Sequence, residues 1–257
     1  MRFASLGSGS EGNGLVVESP GARPTRVLLD CGFTIKECER RLARLGLLAE
    51  SLSAVVVTHE HGDHISGVFK LARRYHLPVW LTHGTLAAVD RREVDGVTFH
   101  CCTPGFGFSI AGVQVLPYAV PHDAREPVQY VFSDGARRLA VLTDAGSATA
   151  HIVDMLGGCH TLVLECNHDR ELLRNSSYPP SLKTRIGGAY GHLANDVAAQ
   201  ILQRIDRSSL TRVIAAHLSR SNNTPGLARA ALAQVLSCDE EEILVADQEL
   251  GLGWMEV

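Results

Sequence analysis

The stretch Thr58-His59-Glu60-His61-Gly62-Asp63-His64 gathers three imidazoles and two carboxylates into one short segment. Such groups crowd together at a cost unless they share protons or bind a cation. The preceding run SAVVVT (53–58) reads as a buried strand, so the cluster begins where a strand opens into a loop. Residues two apart in extended chain point the same way, which directs His59 and His61 at one position. Gly62 lets the chain turn, so Asp63 and His64 can face a second position. Mixed nitrogen and oxygen ligation of this kind suits zinc, or manganese and iron where carboxylates are prominent. One loop supplies too few ligands for two cations. Three more ligand types close apolar runs elsewhere: His122 after QVLPYAVP, Asp144 at the end of RLAVLTD, and His217 at the end of RVIAAH.

The elements that must position these groups are mostly strands. Short β-like runs lie at 2–6, 15–18, 26–30, 53–58, 78–82 and 97–101, with further runs around Gly112. Residues 128–144 read as two strands joined at Asp134-Gly135, a hairpin turn. Later runs cover 161–166, 211–218 and 242–249. Helical patterns separate them. TIKECERRLARLG ends at Gly46, a natural C-terminal stop, and ISGVFKLARRY follows the histidine cluster. NDVAAQILQRI places Val197, Ile201, Leu202 and Ile205 on one face. TPGLARAALAQVL opens with Thr224 as N-cap and Pro225 at the first helical position. Helices and strands interleave in both halves without a boundary. Residues 1–257 are therefore expected to form a single α/β domain of two packed sheets with helices outside.

Composition narrows the function. Hydrophobic residues make up 45% of the chain and charged residues 20%, as in ordinary soluble proteins. The net charge of −4 provides no global field for a polyanion, so a nucleic-acid partner needs a local basic patch or a metal site. Seven cysteines, an odd number without a C-x-x-C pair, argue against a disulfide framework and a thiolate zinc site. No apolar window approaches the ~20 residues of a membrane span. The expected setting is the reducing cytoplasm, away from membranes, and the helix-rich surface leaves room for a homodimer.

The H-E-H-G-D-H run matches an H-x-H-x-D-H signature, with later His, Asp and His in the expected order. In this the chain resembles the metallo-β-lactamase-fold hydrolases. The blocks GSGSEGN (7–13), PHDAREP (121–127), LECNHD (164–169), GHLAN (191–195) and HLSRSNNTP (217–225) resemble the YycJ/WalJ-type, 5′-exonuclease-like branch. The resemblance implies a four-layer αβ/βα sandwich with two divalent metal ions at the sheet edges. It assigns His59, His61 and His122 to one metal, and Asp63, His64 and His217 to the other, with Asp144 bridging. One departure is Glu11, in a loop where the branch often has a small residue.

The implied chemistry is phosphodiester hydrolysis of DNA or RNA. Asp63 would orient the attacking water or accept its proton, and His192, in GHLAN, is the candidate donor to the leaving oxygen. Asn195 is read as the cap of the following helix. His168 and Asp169 are read as partners that orient the metal-bound imidazoles, a helix start being the alternative. Ser8, Ser219, Asn222 and Asn223 are candidate phosphate contacts. Arg174 and Lys183, with Arg170 and Arg185, form the basic strip best placed for a nucleic-acid backbone, and Tyr178 and Tyr190 could stack on bases. Two other functions remain open: hydrolysis of small cyclic phosphodiesters or thioesters on the same metal pair, and a metal-binding scaffold without turnover.

Overall fold

In most strands the apolar residues run continuously rather than alternating with polar ones, because both faces of each sheet are covered. The structure, a computed structural model, describes residues 1–21 and 23–257. One sheet sets β1 (Arg2–Gly7), β2 (Gly14–Ser19), β3 (Thr25–Leu29), β4 (Ala54–Val56), β5 (Val79–Thr82) and β6 (Phe99–Cys102) side by side in chain order. The other sets β7 (Phe108–Ile110), β8 (Val113–Ala119), β9 (Val128–Ser133), β10 (Arg138–Leu142), β11 (Thr161–Glu165), β12 (Arg212–Ala216) and β13 (Leu244–Val245) likewise. The last strand, β14 (Leu252–Glu256), returns to pair antiparallel with β1. Strands β3 to β6 are mutually parallel, as are β10 to β13. The hairpin foreseen at Asp134-Gly135 joins β9 to β10.

Neighbouring residues of one strand point to opposite faces. Val27 and Leu29 enter the core between the sheets, where they meet Val56, Tyr130, Phe132 and Val163. Leu28 faces outward onto α1 (Ile35–Arg44) and α3 (Val68–Tyr75), through Cys38, Leu42 and Leu71. In the second sheet Leu162 and Leu164 pack outward on α6 (Ala150–Leu156), α9 (Asn195–Arg204) and α10 (Pro225–Leu236). The result is four layers, helices outside each sheet.

Helix boundaries follow local chemistry. Thr34 caps α1 by accepting from the Glu37 amide, and Gly46 sits beyond its end with φ +73°. The helical pattern after the histidine cluster is split. A short α2 (Gly62–Ile65) contains Asp63 and His64, and α3 begins after Gly67. Helices α4 (His83–Ala88) and α5 (Arg91–Val94) complete the first half, and α7 (Arg170–Asn175) and α8 (Pro180–Ile186) project from the second. Thr224 and Pro225 open α10 as expected. Asn195 is the first residue of α9, with Ala194 at the cap position. Its amide side chain is spent on Asn223 instead.

Candidate metal centre

The polar groups collect at the C-terminal ends of the parallel strands, where open α/β sheets expose free loop backbone and bind ligands. Asp30 follows β3, His59 to His64 follow β4, Asp144 follows β10, Glu165 ends β11 and His217 follows β12. Asp30, Asp144 and His217 have φ of 58°, 53° and 55°. This left-handed backbone costs a non-glycine residue about 1–2 kcal/mol, and it turns all three side chains into one space. Tyr130, fully buried, donates its hydroxyl to the Val57 carbonyl at 2.8 Å and so ties the second sheet to the histidine loop.

Two donor sets result. In the first, His61 Nδ1 lies 3.0 Å from His59 Nε2 and 3.2 Å from His122 Nε2. Two nitrogens held about 2.05 Å from a tetrahedral ion stand roughly 3.3 Å apart, so this spacing fits a shared cation. In the second, Asp63 Oδ2 lies 3.5 Å from His64 Nε2 and 3.6 Å from His217 Nε2. Asp144 spans the two: its Oδ1 is 4.0 Å from His122 Nε2, and its Oδ2 is 3.0 Å from His64 Nε2. Asp144 Oδ2 and His217 Nε2 are buried, yet neither has a hydrogen-bond partner among the described residues. A buried carboxylate oxygen and a ring nitrogen without hydrogen bonds of their own, facing clustered nitrogens, mark a cation site. The donors fit divalent metal ions.

The rings are held from behind. The Asp30 carboxylate accepts from His64 Nδ1 at 2.8 Å, and also from the Thr58 amide and hydroxyl. Glu165, wholly buried, accepts from His192 Nδ1 at 2.8 Å, His217 Nδ1 at 3.3 Å, and the amides of Ala145 and Leu193. His122 Nδ1 donates to the Gly191 carbonyl at 2.9 Å. Fixing Nδ1–H in this way leaves Nε2 free to face the centre. Gly191 has no room for a side chain, since an added Cβ would sit 2.2 Å from the carbonyl oxygens of Arg185 and Ile186.

Charge follows the same plan. Burial, reinforced by neighbouring imidazoles, pushes His59 and His122 down and keeps them in the neutral, ligating form. Burial also opposes charge on His64 and His217, but nearby carboxylates outweigh it. His64 rises well above its usual value beside Asp144 and Asp30, and His217 is pushed up to about 10 by Asp144, Asp63 and Glu165. For Glu165 burial acts upward, yet His192 and His217 win and bring it down to about 2. A divalent ion held here would compete with protons for these rings.

Residues 25–218 match the family described as "Beta-lactamase superfamily domain". The chain is 36% identical over 242 residues to exodeoxyribonuclease YycJ of Bacillus anthracis, covering 92% of this chain and 89% of that protein. This chain belongs to the beta-lactamase superfamily, in its YycJ/WalJ-type branch. It is also 30% identical to exodeoxyribonuclease WalJ of Streptococcus pneumoniae serotype 2, over 98% of this chain and 91% of that one. The metallo-β-lactamase fold protein YhfI of Bacillus subtilis superposes with a TM-score of 0.75 at 16% identity, covering 99% of both chains, and supports the fold.

Within this superfamily frame the structure brings His59, His61, Asp63, His64, His122, Asp144, His192 and His217 together. Other expectations change. Asp169 does not reach a ligand ring; its carboxylate caps α7 by accepting from the Glu171 and Leu172 amides. His168 is buried, pushed down to about 4 by that burial, and its Nδ1 meets no partner among the described residues. The orienting task falls to Asp30 and Glu165, which also stand at the close of apolar runs. Asn222 and Asn223 are 0% and 7% exposed, and they hold loops together rather than facing phosphate. Asn223 pairs with Asn195, Asn222 donates to Ser219 Oγ, and Ser8 Oγ accepts from the His217 amide. Arg174 pairs with Glu171, and Lys183 donates to the Arg174 carbonyl. Among the described residues, Arg185 is the member of the basic strip that lines the cavity over the centre. Glu11 is taken up by Arg220 at 2.8 Å.

Proposed function

We propose that this chain is a dinuclear-metal-dependent nuclease that hydrolyses phosphodiester bonds at nucleic-acid ends. The observation that carries it is the meeting of two donor sets on the orphaned Asp144 Oδ2 and His217 Nε2, with the Glu165–His192 pair beside them. Relatives that match nearly the whole chain carry the name exodeoxyribonuclease, which favours DNA over RNA and a phosphodiester over a thioester. The imidazole-rich first set suits zinc, and the carboxylate in the second also admits manganese. Bound there, a metal pair would supply Lewis acidity toward the phosphodiester and lower the pKa of water.

The chain's own groups do the rest. Asp63 Oδ2, itself held by Asn13 Nδ2 at 3.3 Å, orients the attacking water and takes its proton. His192 gives Nδ1–H to Glu165 and stays partly exposed to the cavity, so Nε2 can pass a proton to the leaving oxygen. Tyr130 and the inter-sheet core couple both halves, and we treat residues 1–257 as one domain. All seven cysteines are free, which supports a reducing, cytoplasmic setting. Among the described residues no helix is long and apolar enough to cross a membrane. One chain supplies every ligand group, so the site itself does not call for a homodimer.

The test is digestion of end-labelled DNA by metal-depleted protein, restored with manganese or zinc, beside Asp63→Ala. Metal-dependent release of nucleotides that is absent from Asp63→Ala is the expected result. Hydrolysis of bis(p-nitrophenyl) phosphate with no release from any polymer would overturn the nuclease reading in favour of a small-phosphodiester hydrolase.

A further inference from the structure

In a chain with 20% charged residues, no Lys, Arg, Asp or Glu stands between Asp95 and Asp123. That stretch holds β6 and β7, the strands that end the two sheets, each paired along one edge among the described residues. Sheets commonly guard such edges with charged side chains, and these two strands carry none. The Trp80 ring stacks on His100 at 4.4 Å and on Phe108 at 5.8 Å, which ties the two edges together. Phe99, His100 and Cys101 stay exposed beside them.

Two features of this end fit one another. The first is Phe106, which is 73% exposed. Its backbone is pinned: Phe106 N donates to the Thr103 carbonyl at 3.1 Å, and Gly105 N donates to the Pro117 carbonyl at 2.8 Å. An apolar ring is thus held in water at a fixed place, which costs free energy unless something covers it. The second feature is a groove of about 490 Å³ that begins at the next residue, Gly107. Phe108, Leu116 and Val131 give it apolar lining, the exposed Ser109 stands in it, and Arg138 adds one guanidinium. Arg138 Nη1 donates to the Gly157 carbonyl at 3.3 Å, which steadies that group. Apolar lining beside a guanidinium suits an aromatic ring better than an aliphatic chain. Phe106 stands in solvent and so does not fill the groove of its own chain.

We propose that this end of the sandwich is the interface of a two-fold dimer, in which Phe106 of each protomer seats in the groove of a second copy, against Leu116, Val131 and Arg138. A second copy is the occupant because knob and groove lie side by side on one patch, so a two-fold axis forms both contacts at once. The net charge is −4, and the uncharged stretch lets two such chains meet here without like charges facing. This pairing is independent of the reaction at the metal centre.

The experiment is sedimentation equilibrium of the full chain over a concentration series reaching about 100 μM, where even weak specific interfaces are populated. Wild type should pass from 27.7 kDa to twice that mass as concentration rises. Phe106→Ala removes both knobs and should weaken dimerisation at least about 30-fold. Ser109→Arg changes an exposed residue, blocks both grooves and should do the same. An equimolar mixture of the two variants regains one knob in one intact groove. It should therefore associate more tightly than either variant alone and less tightly than wild type. Recovery on mixing also shows that both variants are folded. A wild type that stays at 27.7 kDa throughout would overturn the proposal. So would a dimer that both variants leave unchanged, or a mixture no tighter than its components.

Discussion

Replacing Glu165 by Gln probes how the imidazoles are held without changing the volume of the core. The carboxylate is wholly buried and is reached by four donors: His192 Nδ1, His217 Nδ1 and two backbone amides. A glutamine amide has one oxygen, and its NH₂ must face either the ring pair or the amide pair. If it faces the amides, two buried N–H groups lose their acceptor. At about 1–3 kcal/mol each this removes roughly 2–6 kcal/mol from a total stability of about 5–15 kcal/mol. If it faces the rings, His217 must accept at Nδ1 and carry its proton on Nε2, which then cannot ligate. Either arrangement should weaken metal binding by about 10–100-fold. Urea unfolding of the metal-free protein reads the first cost, and competition with a chromophoric chelator reads the second. A Glu165→Gln protein with an unchanged urea midpoint and metal affinity within twofold of wild type would refute the claim that Glu165 sets the ring tautomers.

Gly32→Ala places a Cβ 1.8 Å from the Asp63 carbonyl oxygen. The displaced backbone should cost about 1–3 kcal/mol and loosen the second donor set, seen as a lower urea midpoint together with weaker metal binding. Glu18 accepts from Arg2 and Arg26 at 2.6 Å each. Burial acts to raise its carboxyl pKa, but the two guanidiniums outweigh it and hold it below the ordinary 4.5. A depressed carboxylate stabilises above pH 4.5 and loses that contribution as pH falls through its folded value. Glu18→Gln should therefore cost about 1–2 kcal/mol at pH 7, with the gap to wild type closing in unfolding curves taken progressively below pH 4.5. Stripping metal with a chelator should lower the melting temperature, and stepwise readdition should raise it with free-metal concentration, because the ion binds the folded form alone. His61→Ala should hold fewer metal equivalents per chain than wild type by elemental analysis.

Strand runs and the turn at Asp134-Gly135 were legible because hydrophobic patterning is a local property. The same local rule, a ligand-type side chain at the close of an apolar run, picks out His122, Asp144 and His217. It applies equally to Asp30 and Glu165, which end RVLLD and TLVLE, yet a carboxylate there also reads as an ordinary turn. What distinguishes them is which ring nitrogen each meets, and that depends on partners 34 and 52 residues away. Asn222 and Asn223 sit in a polar segment that looks solvated, and they are buried because Asn195 arrives from α9 to pair with one of them. The basic strip poses a similar problem. Arg174 and Arg185 look alike in composition, but Arg174 lies on α7 and pairs with Glu171, while Arg185 lies on α8 where it meets Asp123.

Each donor set draws on both sheets. His59 and His61 come from the loop after β4 and their partner His122 from the end of β8, while Asp63 and His64 wait for His217 after β12. The first sheet through β6 carries His59 and His61 of one set and Asp63 and His64 of the other, but neither set complete. The second set stays incomplete until His217 has left the ribosome. A chain that stops short of His217 therefore lacks a ligand group of the second set even where the first is present. Both donor sets are complete only where the two sheets are docked and the chain past β12 is in place, so the order of ligands along the chain ties the centre to the finished fold.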